Sequence, residues 1–166
     1  LDKTPFYAES GGQVGDEGQI VSSGAMLKVK NTVKAEHLFL HAAEVVAGEI
    51  KVGDRVHAEV DCSRRMAIAR NHTATHLLHA ALRNVLGPHA LQSGSVVEPG
   101  RLRFDFSHFQ AVTPEEIQRI EDEVNDKILA DLPVEIIETT VDEARKMGAM
   151  ALFGEKYGNE VRTIAI

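Results

Sequence analysis

Cysteine is nearly missing from this sequence. Its single copy, Cys62, has no partner for an internal disulfide. A disulfide-stapled secreted fold is therefore excluded, and a reducing compartment fits. Long apolar runs are missing as well: none approaches the ~20 residues a membrane-spanning helix needs. No basic segment followed by an apolar stretch opens the chain, as a signal peptide would. Positive charge is short too. Lys and Arg total 18 against 25 Asp and Glu, a formal net charge of −7. Gripping nucleic acid by bulk charge alone is excluded, although a local basic groove is not. Internal repeats and low-complexity stretches are absent. The remainder, 43% hydrophobic and 26% charged over 166 residues, is the balance of a globular protein able to bury a core.

Residues 1–61 carry glycine turns between short β-type runs, over Gln19–Val21, Met26–Val33, His37–Val46 and Arg55–Val60. In the second run Met26, Lys28 and Lys30 alternate with Leu27 and Val29, the period of a half-buried strand. Several short strands with glycine turns suggest a small barrel or sandwich. The pattern changes at Asp61. Cys62 to Leu86 lacks Gly and Pro, with Asp61 or Ser63 available as N-cap and Gly87-Pro88 as terminator. This predicts a long helix.

Strand-like runs follow at Ala90–Val97 and Leu102–Phe106. Thr113-Pro114-Glu115-Glu116 then forms a capping box ahead of Ile117, Ile120, Val124 and Ile128 at helical spacing. A strand over Val134–Thr139, a short helix capped by Thr140, a loop over Gly148–Gly158 and a closing strand complete the reading. The expected architecture is α+β, a barrel over 1–61 and an α+β core over 62–166. The absence of an initiator Met and the strand-like ending at Ile166 suggest a piece of a longer protein.

His72-Thr73-Ala74-Thr75-His76 carries the most chemistry. Histidines four apart on a helix share one face and can share one metal ion, and neutral imidazole suits Zn²⁺. A complete zinc site needs four ligands, so two are not enough. His79 lies on the same face, as a further ligand, a supporting group or a plain packed histidine. Thr73 stands where the metalloprotease signature needs Glu, which excludes that reading. Cys62 lies about 15 Å up the helix axis from His72, too far to join without a bend. Glu9-Ser10-Gly11-Gly12-Gln13 and Gln92-Ser93-Gly94-Ser95 pair glycines with polar groups and read either as tight turns or as ligand loops. Arg64, Arg65, Arg70, Arg83, Arg101 and Arg103 line an RNA path or a solvated face.

Taken in order, the blocks Thr4–Gly18, His72–His76, Gly94-Ser95, Leu102–His108 and Gly148–Gly158 resemble the editing region of alanyl-tRNA synthetases, over essentially the whole chain. Threonyl-tRNA synthetase editing domains share the paired histidines but neither the first block nor Ala151–Gly158. Free-standing alanyl-tRNA editing proteins share the first block. The resemblance implies hydrolysis of seryl- or glycyl-tRNA(Ala) by a cytoplasmic protein, a reaction needed because an added hydroxyl gives a first site only about 1–3 kcal/mol of discrimination.

It also implies zinc on His72 and His76, polar pocket residues Thr75 and Gln92, and a loop of Gly11, Gly12 and Gln13 beside the substrate. The implied partners are the tRNA(Ala) acceptor end and the remaining synthetase domains, which carry the aminoacylation and ATP sites. The family completes its zinc site with a Cys-Gly-Gly-Thr-His block that this sequence lacks. Weak zinc occupancy and little deacylase activity are therefore expected of this chain alone. The rival readings are a tRNA acceptor-end positioning module, a free-standing editing protein and a structural zinc domain.

Overall fold

A computed structural model describes residues 1–149 and 160–166. The chain divides into two compact units, Leu1–Ala111 and Val112–Ile166. The change of pattern at Asp61 marks the start of a helix inside the first unit, whereas the units divide fifty residues later.

The first unit begins with a four-stranded antiparallel sheet of β1 (Gly18–Val21), β2 (Ala25–Ala35), β3 (Leu38–Gly48) and β4 (His57–Val60), in the order β3-β2-β1-β4. The expected barrel does not form from these strands: the sheet is open, with β3 and β4 at its edges. Two of its four strands are only four residues long, too little pairing to curl one edge round to the other. Phe6, Ile20 and Val29 form its buried core, flanked by Leu27, Ile50, Val56, Ala58 and Val60. The alternation read from Met26 to Lys30 holds until a bulge between Val29 and Asn31. That extra residue reverses the facing, so Thr32 rather than Asn31 is fully buried, and its hydroxyl donates to the Asp16 carbonyl at 3.1 Å.

Helix α1 (Cys62–Leu86) matches the predicted span because both expected caps work. Asp61 accepts from the Arg64 amide at 2.9 Å, and the Gly87 amide, at φ 113°, donates to the Arg83 carbonyl. The loop ahead of β1 fixes the start of α1. Buried Asp16 accepts from the Tyr7 amide at 2.7 Å and pairs with the Arg65 guanidinium. Arg64 bonds the Gly15 carbonyl at 2.8 Å and Glu17 at 2.9 Å. Packed on α1 is an antiparallel hairpin of β5 (Gln92–Val97) and β6 (Leu102–Phe106), and Ile68, Ala81, Leu82, Ala90 and Val97 are buried in this unit.

The second unit holds α2 (Pro114–Leu129), β7 (Glu135–Thr140), α3 (Val141–Lys146) and β8 (Glu160–Ala165). Thr113 and Glu116 close the capping box as read, each side chain on the other's backbone amide. β7 and β8 pair antiparallel, with Ile136 opposite Ile164, and α3 packs on both. From residue 150, the loop expected over Gly148–Gly158 lies outside the described residues.

Candidate functional site

His72 and His76 project from adjacent turns of α1, and their rings stack, with centroids 5.1 Å apart and planes 20° from parallel. His72 is half-buried and His76 exposed, so the pair opens to solvent on one side. Burial lowers the pKa of His72. At His76, exposed as a residue but with its ring partly desolvated, desolvation acts first in the same direction, followed by repulsion from His72 and His79. Both rings are therefore neutral at physiological pH, the form that can donate a lone pair to a metal.

A second element reaches this pair from 59 residues upstream. Ser10 and Gln13 exchange backbone hydrogen bonds of 3.2 and 3.0 Å across Gly11 and Gly12, whose φ angles are 58° and 81°. Two consecutive positive φ values define a turn that glycine makes without strain. At Gly12 space is decisive as well: a Cβ there would run into the Ser95 carbonyl and hydroxyl. The turn is pinned to β5, with the Val97 amide donating to Gly12 at 2.8 Å and the Val14 amide to Val97 at 3.1 Å. It thus delivers the Gln13 side chain to α1, where Oε1 lies 2.7 Å from His72 Nδ1.

Gly12, Gln13, His72 and His76 are thus brought together, and Gln92 joins through Ser95, whose hydroxyl accepts from its amide at 3.0 Å. Gly11 has open space around its Cα. Thr75 is buried, and its hydroxyl proton goes to the Asn71 carbonyl at 2.8 Å, a helix-backbone bond. His79 is buried beside Phe104, with ring centroids 5.1 Å apart and an unpartnered Nε2. Burial lowers its pKa, opposed by a hydrogen bond to the Ala90 backbone and reinforced by Arg83. Cys62 is exposed. Among the described residues no group of three or more His, Cys, Asp or Glu could hold a metal ion.

Four of the arginines considered for an RNA path are paired: Arg64 with Glu17, Arg65 with Asp16, Arg101 with Glu98 and Arg103 with Asp105. Sequence reasoning gave no role to Asn71, whose side chain ties α1 to the Glu98 carbonyl at 2.7 Å. A second imidazole pair was equally unread. His89 Nε2 and His108 Nδ1 hydrogen-bond at 2.8 Å, and Phe109 stacks on the His89 ring and lies tilted against that of His108. The two histidines flank the ends of the β5–β6 hairpin, nineteen residues apart, a spacing with no helical or strand period to betray it.

The family model for class II tRNA synthetases (A) matches residues 1–64. Over the whole chain, the sequence is similar to three bacterial alanine–tRNA ligases. It is 61% identical to that of Acetivibrio thermocellus, 57% to that of Pelotomaculum thermopropionicum over 99% of the chain, and 55% to that of Halorhodospira halophila. The chain spans 19% of the length of each of these relatives. Among the described residues no helix is long and apolar enough to cross a membrane.

Proposed function

We propose that this chain is the editing portion of an alanine–tRNA ligase, which hydrolyses the ester joining serine or glycine to tRNA(Ala). The observation that carries the reading is the pair of neutral, stacked imidazoles of His72 and His76, open on one side and buttressed by Gln13. In the reaction a water oxygen adds to the ester carbonyl, the bond to the ribose oxygen breaks, and that oxygen takes a proton. Free amino acid and uncharged tRNA leave.

The donor set fits zinc in part. Two neutral imidazoles on one helix face are suitable ligands, and the remaining positions are left to groups beyond the described residues or to water. Zinc held by His72 and His76 would polarise the ester, orient the amino acid or acidify water. With only two ligands among the described residues, zinc binding by the chain alone is expected to be weak. Ser95 and Gln92 offer a hydroxyl and an amide that can recognise a serine hydroxyl or align water; Thr75 has its own proton committed to the helix. The paired state of Arg64, Arg65, Arg101 and Arg103 weighs against a module built mainly to grip RNA.

The test is hydrolysis of seryl-tRNA(Ala) by an alanine–tRNA ligase carrying this segment, with and without His72→Ala and His76→Ala. Loss of a supporting group costs roughly 10–100-fold in metal affinity or activity, and loss of a ligand exceeds that. Deacylation is expected to fall by more than about 100-fold while tRNA binding is retained. Retained deacylation defeats the reading. Lost tRNA binding favours the positioning module instead, and unfolding of both variants favours a structural zinc domain.

A further inference from the structure

We infer that Gln13 is a positioning residue, whose side-chain carbonyl holds the His72 imidazole proton on Nδ1 and leaves the Nε2 lone pair free to bind. The metal-binding half of this inference rests on the proposed reading of His72 and His76; the proton placement does not. A carbonyl oxygen carries no hydrogen, so at 2.7 Å from Nδ1 it can only accept, and the ring nitrogen must donate. A neutral imidazole has one N–H. With that proton on Nδ1, Nε2 is the unprotonated atom, and a metal-binding histidine commonly gives its other N–H to a carbonyl or carboxylate in this way.

The support beneath Gln13 is stiff enough to make the contact specific. Gln13 is the last residue of a turn closed by paired backbone bonds to Ser10, and the flanking backbone of Gly12 and Val14 is bonded to Val97. Gly12 sits so close to Ser95 that the turn has one seat on β5. α1 is tied down in turn by Arg64, Arg65 and Asn71. Both ends of the Gln13–His72 bond are thereby fixed before any ligand arrives. Such preorganisation fixes ring rotation as well as tautomer, with the His76 ring stacked alongside. The Gly11-Gly12 turn gains a purpose from this: it carries Gln13 to the helix rather than only making room for substrate.

Long-range proton–nitrogen NMR of the metal-free, nitrogen-15-labelled chain, under alkaline conditions where the ring is neutral, reads the tautomer directly. In the unsubstituted chain His72 is expected to be protonated on Nδ1. Gln13→Met keeps the size but removes the acceptor, and should return His72 to the Nε2–H form that free imidazole favours. Gln13→Glu keeps an acceptor and should preserve the Nδ1–H form. In an alanine–tRNA ligase carrying this segment, zinc affinity should drop about 10–100-fold with Gln13→Met and recover with Gln13→Glu. An Nε2–H tautomer in the unsubstituted chain overturns the assignment even if no variant folds, and so does a His72 tautomer indifferent to Gln13→Met. Because the tautomer series needs no metal, it decides the role of Gln13. Failure of the unsubstituted ligase to bind zinc through His72 and His76 would instead sink the ligand reading.

Discussion

Two histidine pairs stand in the first unit with nearly equal ring separations, 5.1 Å for His72–His76 and 5.0 Å for His89–His108, yet they use their nitrogens differently. His89 and His108 bond to each other, so each ring spends one nitrogen on its neighbour, and His108 Nε2 is buried without a partner. His72 and His76 stack without such a bond among the contacts described, and the one nitrogen engaged, His72 Nδ1, is held by Gln13. The difference follows from where the residues sit. Helical spacing of four presents two rings side by side from one rigid element, whereas the loop histidines at the ends of the hairpin, also nearly parallel at 16°, bring a nitrogen of one ring within bonding distance of a nitrogen of the other. On the proposed zinc reading, what separates the two pairs is not the proximity of their imidazoles but the disposition of the second nitrogens.

The sharpest way to break this comparison is to truncate one member of each pair. His76→Ala is expected to lower zinc affinity and seryl-tRNA deacylation of an alanine–tRNA ligase carrying this segment by more than about 100-fold. His108→Ala should leave both near the unsubstituted level. Equal losses from the two variants would erase the distinction.

Next in size is the turn that serves only the first pair. Gly12→Ala combines a left-handed backbone with a collision against Ser95, and is expected to destabilise the chain by roughly 1–3 kcal/mol in urea unfolding. Gly24→Ala, with open space and no such backbone demand, should stay within about 0.5 kcal/mol. A tolerated Gly12→Ala would mean that the turn does not need its seat on β5.

A smaller effect concerns pH. Burial lowers the pKa values of His72 and His79 in the folded chain below the ordinary 6.5. Between the lowered values and 6.5 the unfolded chain binds more protons, so stability is full above that window and declines as pH falls through it. Below the folded-state values there is no further loss from these groups. Urea midpoints measured across this range should fall with pH, and less steeply in His79→Leu. A slope unchanged by that substitution would remove His79 as a contributor.

The smallest effect lies in the second unit, which carries neither pair. Thr113→Ala removes the α2 N-cap and should cost about 1 kcal/mol of that unit's stability while leaving zinc affinity unchanged. A change in zinc affinity would couple α2 to the site.

Much of the local structure was legible because local physics sets it. The span Cys62–Leu86 lacks breakers and has a working cap at each end, and Thr113–Glu116 is a capping box in sequence and in space. The strands were legible as elements, but the bulge after Val29 was not, since one additional residue in a pairing leaves no mark on composition. Sheet closure is not legible for a related reason: glycine turns announce hairpins, while closure depends on strand length and on which edges meet, and the sheets among the described residues are open. The closeness of His72 and His76 was legible because four-residue spacing on a helix is a geometric statement. Gln13 was noticed as a polar residue beside glycines and assigned to substrate. Its contact with a ring 59 residues away depends on two loops and a helix docking together, which periodicity cannot express.

The central claim is that His72 and His76 hold one zinc ion, and X-ray absorption at the zinc edge of an alanine–tRNA ligase carrying this segment tests it most directly. The account predicts imidazole nitrogens about 2.0–2.1 Å from zinc, with their contribution reduced by His72→Ala and by His76→Ala. A zinc coordination shell identical in the unsubstituted protein and in both variants would contradict it.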